Sequence, residues 1–207
     1  QVIGNRVWRY HRSGCTSRES PGWMEPSEQE SIVEAIYPVG VAGGMRIIWF
    51  AWVSGDHDRV MSSNGRPVCD SSKEGLEGQV AARGRVLDWE GESVIDLDSL
   101  ISSVDSGREV DPGEVVDAWN FMTDLSRVID NAPNQLFHAE LMETYDIFFS
   151  QCEVAQSLGL RSISIARRDL DRALVVLRDG RRMVQGIQLN IERPASSPTV
   201  GRTHEIH

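Results

Sequence analysis

Residues 111–159 read DPGEVVDAWNFMTDLSRVIDNAPNQLFHAELMETYDIFFSQCEVAQSLG and contain the clearest helix start and the clearest helix stop in the chain. Asp111 can accept hydrogen bonds from the free N–H groups of a first turn, and Pro112 suits the first helical position. Glu114 can close a capping box. Gly159, followed by Leu160, has the pattern of a glycine cap at a helix C-terminus. The stretch therefore predicts one helix that begins after Asp111 and a second helix that ends before Gly159.

Apolar residues follow the helical period on both sides of the break at residues 131–133. Each series forms one continuous stripe, as in a helix that packs one face on a core. The connection is short, so we expect helices over 112–130 and 134–158 to form an antiparallel hairpin. The stripes consist of Val115, Ala118, Met122, Leu125 and Ile129, and of Phe137, Leu141, Tyr145, Phe148, Cys152 and Ala155.

Two further helices are predicted outside this hairpin. Apolar residues at i, i+3, i+4 and i+7 from Leu97 predict a helix over 97–106, with a glycine just after it. A longer apolar stripe predicts a helix over 168–188, although Asp179-Gly180 is also a strong two-residue signal for a β-hairpin. We favour the helix, because the stripe continues past Gly180 and acidic residues lie near its start.

The N-terminal half predicts a smaller amount of strand. Ile36–Val53 is the most hydrophobic window, but a proline, three glycines and an arginine interrupt it. A membrane span or signal peptide is therefore not favoured, and a buried strand over Arg46–Val53 is predicted. Residues 54–78 are rich in Gly, Ser, Asn and Asp, which indicates a loop or linker. A small hairpin is predicted beyond them, with strands over Val80–Trp89 and Glu92–Leu97.

Together these elements predict an α+β fold that is mainly α, a helical bundle with a small β-hairpin or short sheet. Residues 1–76 are expected to form a poorly ordered arm that carries one apolar segment, 36–53. Residues 77–192 are expected to form the globular domain, and residues 193–207 a disordered tail. The chain begins with Gln rather than Met, so functional interpretations that rest on residues 1–60 are given less weight.

The chain has 207 residues, of which 40% are hydrophobic and 25% charged, a composition typical of soluble globular proteins. The net charge of −10 argues against nonspecific binding to nucleic acid and against adhesion to anionic membranes. Residues 77–160 carry 4 basic and 17 acidic side chains, whereas residues 161–207 carry 9 basic and 5 acidic ones. The simplest arrangement places the last helix across the acidic ones.

Cysteines and motifs exclude several common classes of protein. Cys15, Cys69 and Cys152 form neither a disulfide framework nor a CxxC metal pair, which agrees with a reducing cytoplasm. The sequence lacks a P-loop, a dinucleotide-binding glycine motif, HExxH and GxSxG. No cofactor is therefore expected, and a cytoplasmic location is predicted.

The favoured function is a noncatalytic protein-binding module, such as an adaptor, a regulator or a toxin-neutralising protein. Asp88–Asp117 holds ten acidic residues and one basic residue, Arg108, and would meet a basic surface on another protein. Tryptophan beside polar groups is also common in interface hot spots. Nucleic-acid and membrane partners are not expected. The candidate binding residues are Glu109, Asp111, Glu114, Asp117, Trp119, Asn120 and Asp124.

The alternative is an unrecognised metal-dependent hydrolase. Asp56, His57 and Asp58 place an imidazole between two carboxylates, and carboxylates on the helix over 137–146 could complete a site. The same residues also suit a polar turn and a solvated helix face, so no metal ligand is assigned. A third possibility, membrane attachment through residues 36–53, is not favoured.

Overall fold

The structure is a computed structural model that describes residues 34–44, 46–55, 57–107, 110–129 and 139–192. Within these residues, five helices accompany a mixed sheet. The strands are β1 (Ala35–Ala42), β2 (Ile47–Ser54), β3 (Arg59–Val60), β4 (Ser62–Ser63), β5 (Arg66–Pro67), β6 (Cys69–Asp70) and β7 (Ser93–Asp96). The helices are α1 (Lys73–Ala81), a short 3₁₀-helix (Trp89–Gly91), α2 (Leu97–Asp105), α3 (Pro112–Ser126), α4 (Ala139–Leu158) and α5 (Arg167–Glu192).

The main sheet has the strand order β3-β2-β1-β7, and β6 also pairs with β2. β1 and β2 are antiparallel, with Val39 opposite Phe50 and Gly40 opposite Trp49. A Cβ atom on Gly40 would lie 2.9 Å from the Trp49 ring, so glycine leaves the space that the indole needs. β7 runs parallel to β1 and forms the end of the sheet. The predicted strand over Arg46–Val53 is confirmed as β2.

Helices cover the two faces of this sheet, which explains why β2 is apolar at nearly every position. Alternate residues of β2, including Phe50 and Trp52, belong to a core shared with α2, α3, α4 and α5. On that side the Phe121 ring packs against both, with centroids 5.3 Å from Phe50 and 5.5 Å from Trp52. The intervening residues, including Trp49, pack with Leu76 of α1 in a second cluster. The α+β class, mainly α, agrees with five helices on a mixed sheet, whereas the expected helical bundle is not shown.

The helix signals in residues 111–159 are confirmed where the structure describes them. The Asp111 Oδ1 accepts hydrogen bonds from the N–H groups of Gly113, at 2.8 Å, and Glu114, at 3.4 Å. α4 ends with Gly159 at a φ of 67°, and Leu160 N–H donates to the Ala155 carbonyl at 2.8 Å. This is the hydrogen-bond pattern of a Schellman cap. α3 ends at Ser126, four residues before the predicted end, and the predicted residues 134–138 of α4 lie outside the described residues.

Helices α3 and α4 pack in opposite directions, as the hairpin prediction requires. Trp119 contacts Tyr145 with ring centroids 5.7 Å apart. Gly113, at the start of α3, lies near Cys152, towards the end of α4. Residues near the start of α3 therefore contact residues near the end of α4, so the two helices run antiparallel.

α5 is one continuous helix, so the hairpin alternative at Asp179-Gly180 is wrong. A Cβ atom on Gly180 would lie 2.5 Å from Met122 Cγ, so this glycine lets α5 approach α3 closely.

The expected pairing of basic residues on α5 with acidic residues on another helix is present. Arg178 pairs with Asp105 at 3.2 Å and Arg181 with Asp98 at 2.9 Å, both on α2. The basic last helix thus lies across an acidic one.

Two predictions for residues 54–97 are corrected. The segment read as a linker over 54–78 contains β3 to β6 and the start of α1, and a helix therefore crosses the expected domain boundary at residue 76. The predicted hairpin over 80–97 is replaced by α1, the 3₁₀-helix and β7, because β7 pairs with β1 and not with its neighbour in sequence. The predictions for residues 1–33 and 193–207 concern residues outside those that the structure describes.

Candidate functional site

A cavity of about 210 Å³ lies between the β7 end of the sheet and helices α2 and α3. All four residues of β7 line it. The cavity therefore follows β7 over its whole length, and it also reaches the face of the sheet that α3 covers. We call it the β7–α3 groove. Its other lining residues are Val39 and Trp52 of the sheet, Ser99 and Leu100 of α2, and Glu114, Asp117, Asn120 and Phe121 of α3.

The edge of β7 along this groove is open within the described chain. β7 pairs with β1 on one side, and no described strand pairs with it on the other. The Ser93 Oγ is shielded from solvent and has no hydrogen-bond partner among the described residues. Backbone groups on an unpaired edge can accept another strand, and a buried hydroxyl needs a partner. The groove therefore has unused capacity for hydrogen bonds.

The groove is strongly acidic. Asp96, Glu114 and Asp117 line it, and no lining residue is basic. Burial raises the pKa of Glu114, and the neighbouring carboxylates of Asp111 and Asp96 raise it further, while Arg161 opposes them. A raised carboxyl pKa means that negative charge is unfavourable there. A bound cation would remove that disadvantage.

The groove brings together three of the predicted binding residues, namely Glu114, Asp117 and Asn120. Asp111 lies just outside it and caps α3, so its carboxylate has a structural task. Trp119 is 2% exposed and belongs to the core against Tyr145, which gives no accessible surface for an interface. Glu109 lies outside the described residues.

Asp124 lies further along α3 and does not line the groove. It is buried and forms an ion pair with Arg127. Burial raises its pKa to about 6; Asp58 acts in the same direction, and Arg127 opposes both. Its environment is that of a buried carboxyl paired with Arg127.

Most other acids in the region Asp88–Asp117 also have structural partners. Asp88 caps the 3₁₀-helix and Asp96 caps α2, where its Oδ1 accepts from the Ser99 N–H at 2.9 Å. Asp98 accepts from the Gly44 N–H at 2.8 Å besides its pair with Arg181. The acidic excess therefore reflects helix caps and internal ion pairs as well as the groove.

The residues of the alternative metal site are not brought together by the described chain. Asp58 lies close enough to Asp124 of α3 to influence its pKa, while Glu140 of α4 pairs with Arg172 at 3.3 Å. Asp56 lies outside the described residues. No group of three His, Cys, Asp or Glu side chains within the described residues is placed to hold a metal ion.

The two described cysteines have the properties of protonated thiols. Burial raises the pKa of Cys69 to about 12, and Asp70 adds to the effect. Burial also raises the pKa of Cys152, with Asp117 contributing next. A protonated thiol is a poor nucleophile, so neither cysteine suits nucleophilic catalysis.

No protein-family model matches the chain, and no curated protein or solved structure does either. None of the helices in the described part of the chain is sufficiently long and apolar to span a membrane. The groove residues that sequence analysis missed are mainly those of β7 and the start of α2, such as Ser93 and Ser99. The sequence predicts a strand over 92–97, but nothing local shows that its partner is β1 and that its outer edge faces α3.

Proposed function

We propose that the protein is a noncatalytic protein-binding module, and that the β7–α3 groove binds a basic side chain of its partner. The observation that carries this proposal is the presence of Asp96, Glu114 and Asp117 in one groove without a basic lining residue. A guanidinium or ammonium group would reduce the repulsion among these carboxylates and could donate hydrogen bonds to them. An adaptor, a regulator or a toxin-neutralising protein would act through such binding.

The size and lining of the groove support a protein partner over a cofactor or a substrate. Sites for small molecules and cofactors usually measure about 300–1,000 Å³, whereas this groove has about 210 Å³. The lining includes no histidine, the most frequent general acid or base, and no cysteine or lysine nucleophile. One basic side chain from a larger partner agrees with both the small volume and the composition of the lining.

The acidic lining also predicts how the partner associates. Opposite charges accelerate the encounter of two proteins, and salt weakens this effect. We therefore expect binding that is fast at low salt and slower at moderate salt. The free cysteines Cys69 and Cys152 support a reducing compartment, and we propose the cytoplasm.

The test is a comparative pull-down from native lysate with the full chain, at low and moderate salt. The groove variant combines Glu114→Gln and Asp117→Asn. The control variant combines Glu74→Gln and Glu77→Gln, two exposed residues of α1 on the other side of the sheet. Both variants lose two negative charges, so the comparison isolates the position at which the charges are lost.

We expect mass spectrometry to find a partner that the wild type and the control variant retain and that the groove variant loses. Higher salt should deplete the same partner. If every retained protein is captured equally by the groove variant, the groove is not the binding site and the proposal is wrong.

A further inference from the structure

We propose that the basic side chain in the β7–α3 groove comes from an extended peptide of the partner, which joins the sheet as an additional strand beside β7. This inference rests on the proposed function and specifies the kind of partner. Recognition by strand addition uses main-chain hydrogen bonds for affinity and side-chain pockets for specificity. The groove offers both, since an open strand edge forms one wall and acidic side chains of α3 form the other.

The geometry of β7 favours an occupant in extended conformation. Ser93 lies opposite Val39 and Ile95 opposite Val41, so both point to the face of the sheet that α3 covers. Val94 lies opposite Gly40 and points to the other face. All four residues from Ser93 to Asp96 line the groove, so an extended segment that follows the strand would contact each of them.

An added strand would present its side chains alternately to these two faces. A basic side chain on the α3 face would lie near Glu114 and Asp117, while each neighbouring residue would lie on the face of Val94. Val94 is 51% exposed, and an apolar neighbour would cover part of its surface. The inferred recognition motif is thus a basic residue with an apolar residue directly beside it.

Within the described residues, the other end of the sheet offers no comparable edge. It ends in β3, which has two residues, Arg59 and Val60. Arg59 there forms an ion pair with Glu34 at 2.6 Å. A short edge with a charged residue is a usual protection against strand pairing. The longer β7 edge, next to a cavity of opposite charge to a basic peptide, is the better acceptor.

The experiment uses two displayed libraries of heptapeptides, one with a fixed central arginine and one with a fixed central glutamate, selected against the full chain. We expect enrichment from the arginine library alone, with apolar residues next to the arginine. Enriched peptides are then synthesised with capped ends in two complementary N-methylated forms, each methylated at alternate backbone nitrogens. One form should bind about tenfold or more weakly, because it loses hydrogen bonds to β7, and the other should bind nearly as well as the parent.

Residue-resolved amide exchange provides a second readout on the protein. Peptide binding should slow the exchange of alternate amides in Ser93–Asp96, since alternate residues of a strand direct their N–H groups to the same edge. The methylated form that binds more tightly should also give the stronger protection of these amides.

The outcomes separate the two proposals. A peptide that loses affinity for the Glu114→Gln and Asp117→Asn variant, but tolerates both methylation patterns and leaves the exchange of residues 93–96 unchanged, overturns strand addition and leaves the proposed function standing. Peptides that bind the groove variant as tightly as the wild type overturn both proposals. Absence of any enrichment from the arginine library likewise overturns strand addition.

Discussion

Asp124 forms a local ion pair, and its buried carboxylate also lowers the stability of the folded chain when it is ionised. Its carboxyl is buried at the end of α3, and burial has a larger effect on its pKa than the attraction of Arg127. The pKa therefore lies at about 6 in the folded chain, against 3.8 for an ordinary aspartate. A carboxyl with a raised pKa favours the folded state while it is protonated. This contribution is complete below about pH 4 and is lost as the pH rises through about 6.

The variant Asp124→Asn should remove that pH dependence. The difference in the free energy of unfolding between wild type and variant should change by about 3 kcal/mol between pH 4 and pH 7, in the direction that disfavours the wild type at higher pH. Urea denaturation at several pH values measures it, with the exposed Glu77→Gln as control. A difference that does not vary with pH would show that Asp124 titrates normally.

Two substitutions of Asp111 test whether its side chain stabilises α3 as a helix cap. Asp111→Ala should lower the free energy of unfolding by about 1 kcal/mol, because two N–H groups of α3 lose their acceptor. Asp111→Asn should retain most of the stability, since an asparagine oxygen also caps helices. Thermal or urea unfolding distinguishes them. Equal losses in both variants would mean that the charge, and not the hydrogen bonds, is what stabilises α3.

At the scale of elements, the close crossing of α5 and α3 gives a test with an internal control. Gly180→Ala should destabilise the protein by about 1–3 kcal/mol, because the added methyl group would overlap the buried Met122 side chain. Gly186→Ala, in the same helix with no atom within 4 Å of the added Cβ, should stabilise it by about 0.5–1 kcal/mol. Similar effects of the two substitutions would contradict the crossing.

Elements were predictable from sequence where their signals are local. The Asp111 cap, the Gly159 stop and the apolar stripe of α5 each depend on neighbouring residues, and all are present in the structure. α1 was missed because its sequence, KEGLEGQVA, has two glycines and only Leu76 and Val80 buried. The pairing of β7 with β1 joins residues more than 50 positions apart, which no turn signal reveals. For that reason the sequence placed Glu114 and Asp117 on one helix but could not show the groove that they line.

At the scale of the whole molecule, strands before residue 76 and helices after it share a core. The cluster that contains Phe50 and Trp52 also contains Phe121 and Leu177. A fragment over 77–192 would expose the helix side of this core, so we expect it to lack a cooperative thermal transition. A fragment over 34–192 should retain one. Cooperative unfolding of 77–192 alone would restore the domain boundary expected from the sequence.

Charge is also distributed over the whole molecule. Cations of α5 neutralise Asp98 and Asp105 of α2, and caps use Asp88, Asp96 and Asp111. The β7–α3 groove brings three carboxylates, those of Asp96, Glu114 and Asp117, together in one lining that includes no basic side chain. We therefore propose that a cationic group binds in the groove and not on the acidic surface as a whole.

The most direct measurement is a titration of the isotope-labelled full chain with N-acetyl-arginine amide, followed by backbone chemical shifts. N-acetyl-citrulline amide, which has nearly the same shape without the charge, is the control. We predict saturable shifts at residues 93–100 and 114–121 with the arginine compound, and much smaller shifts with citrulline. Shifts spread over acidic residues across the surface, or equal shifts with both compounds, would contradict a cation-binding groove.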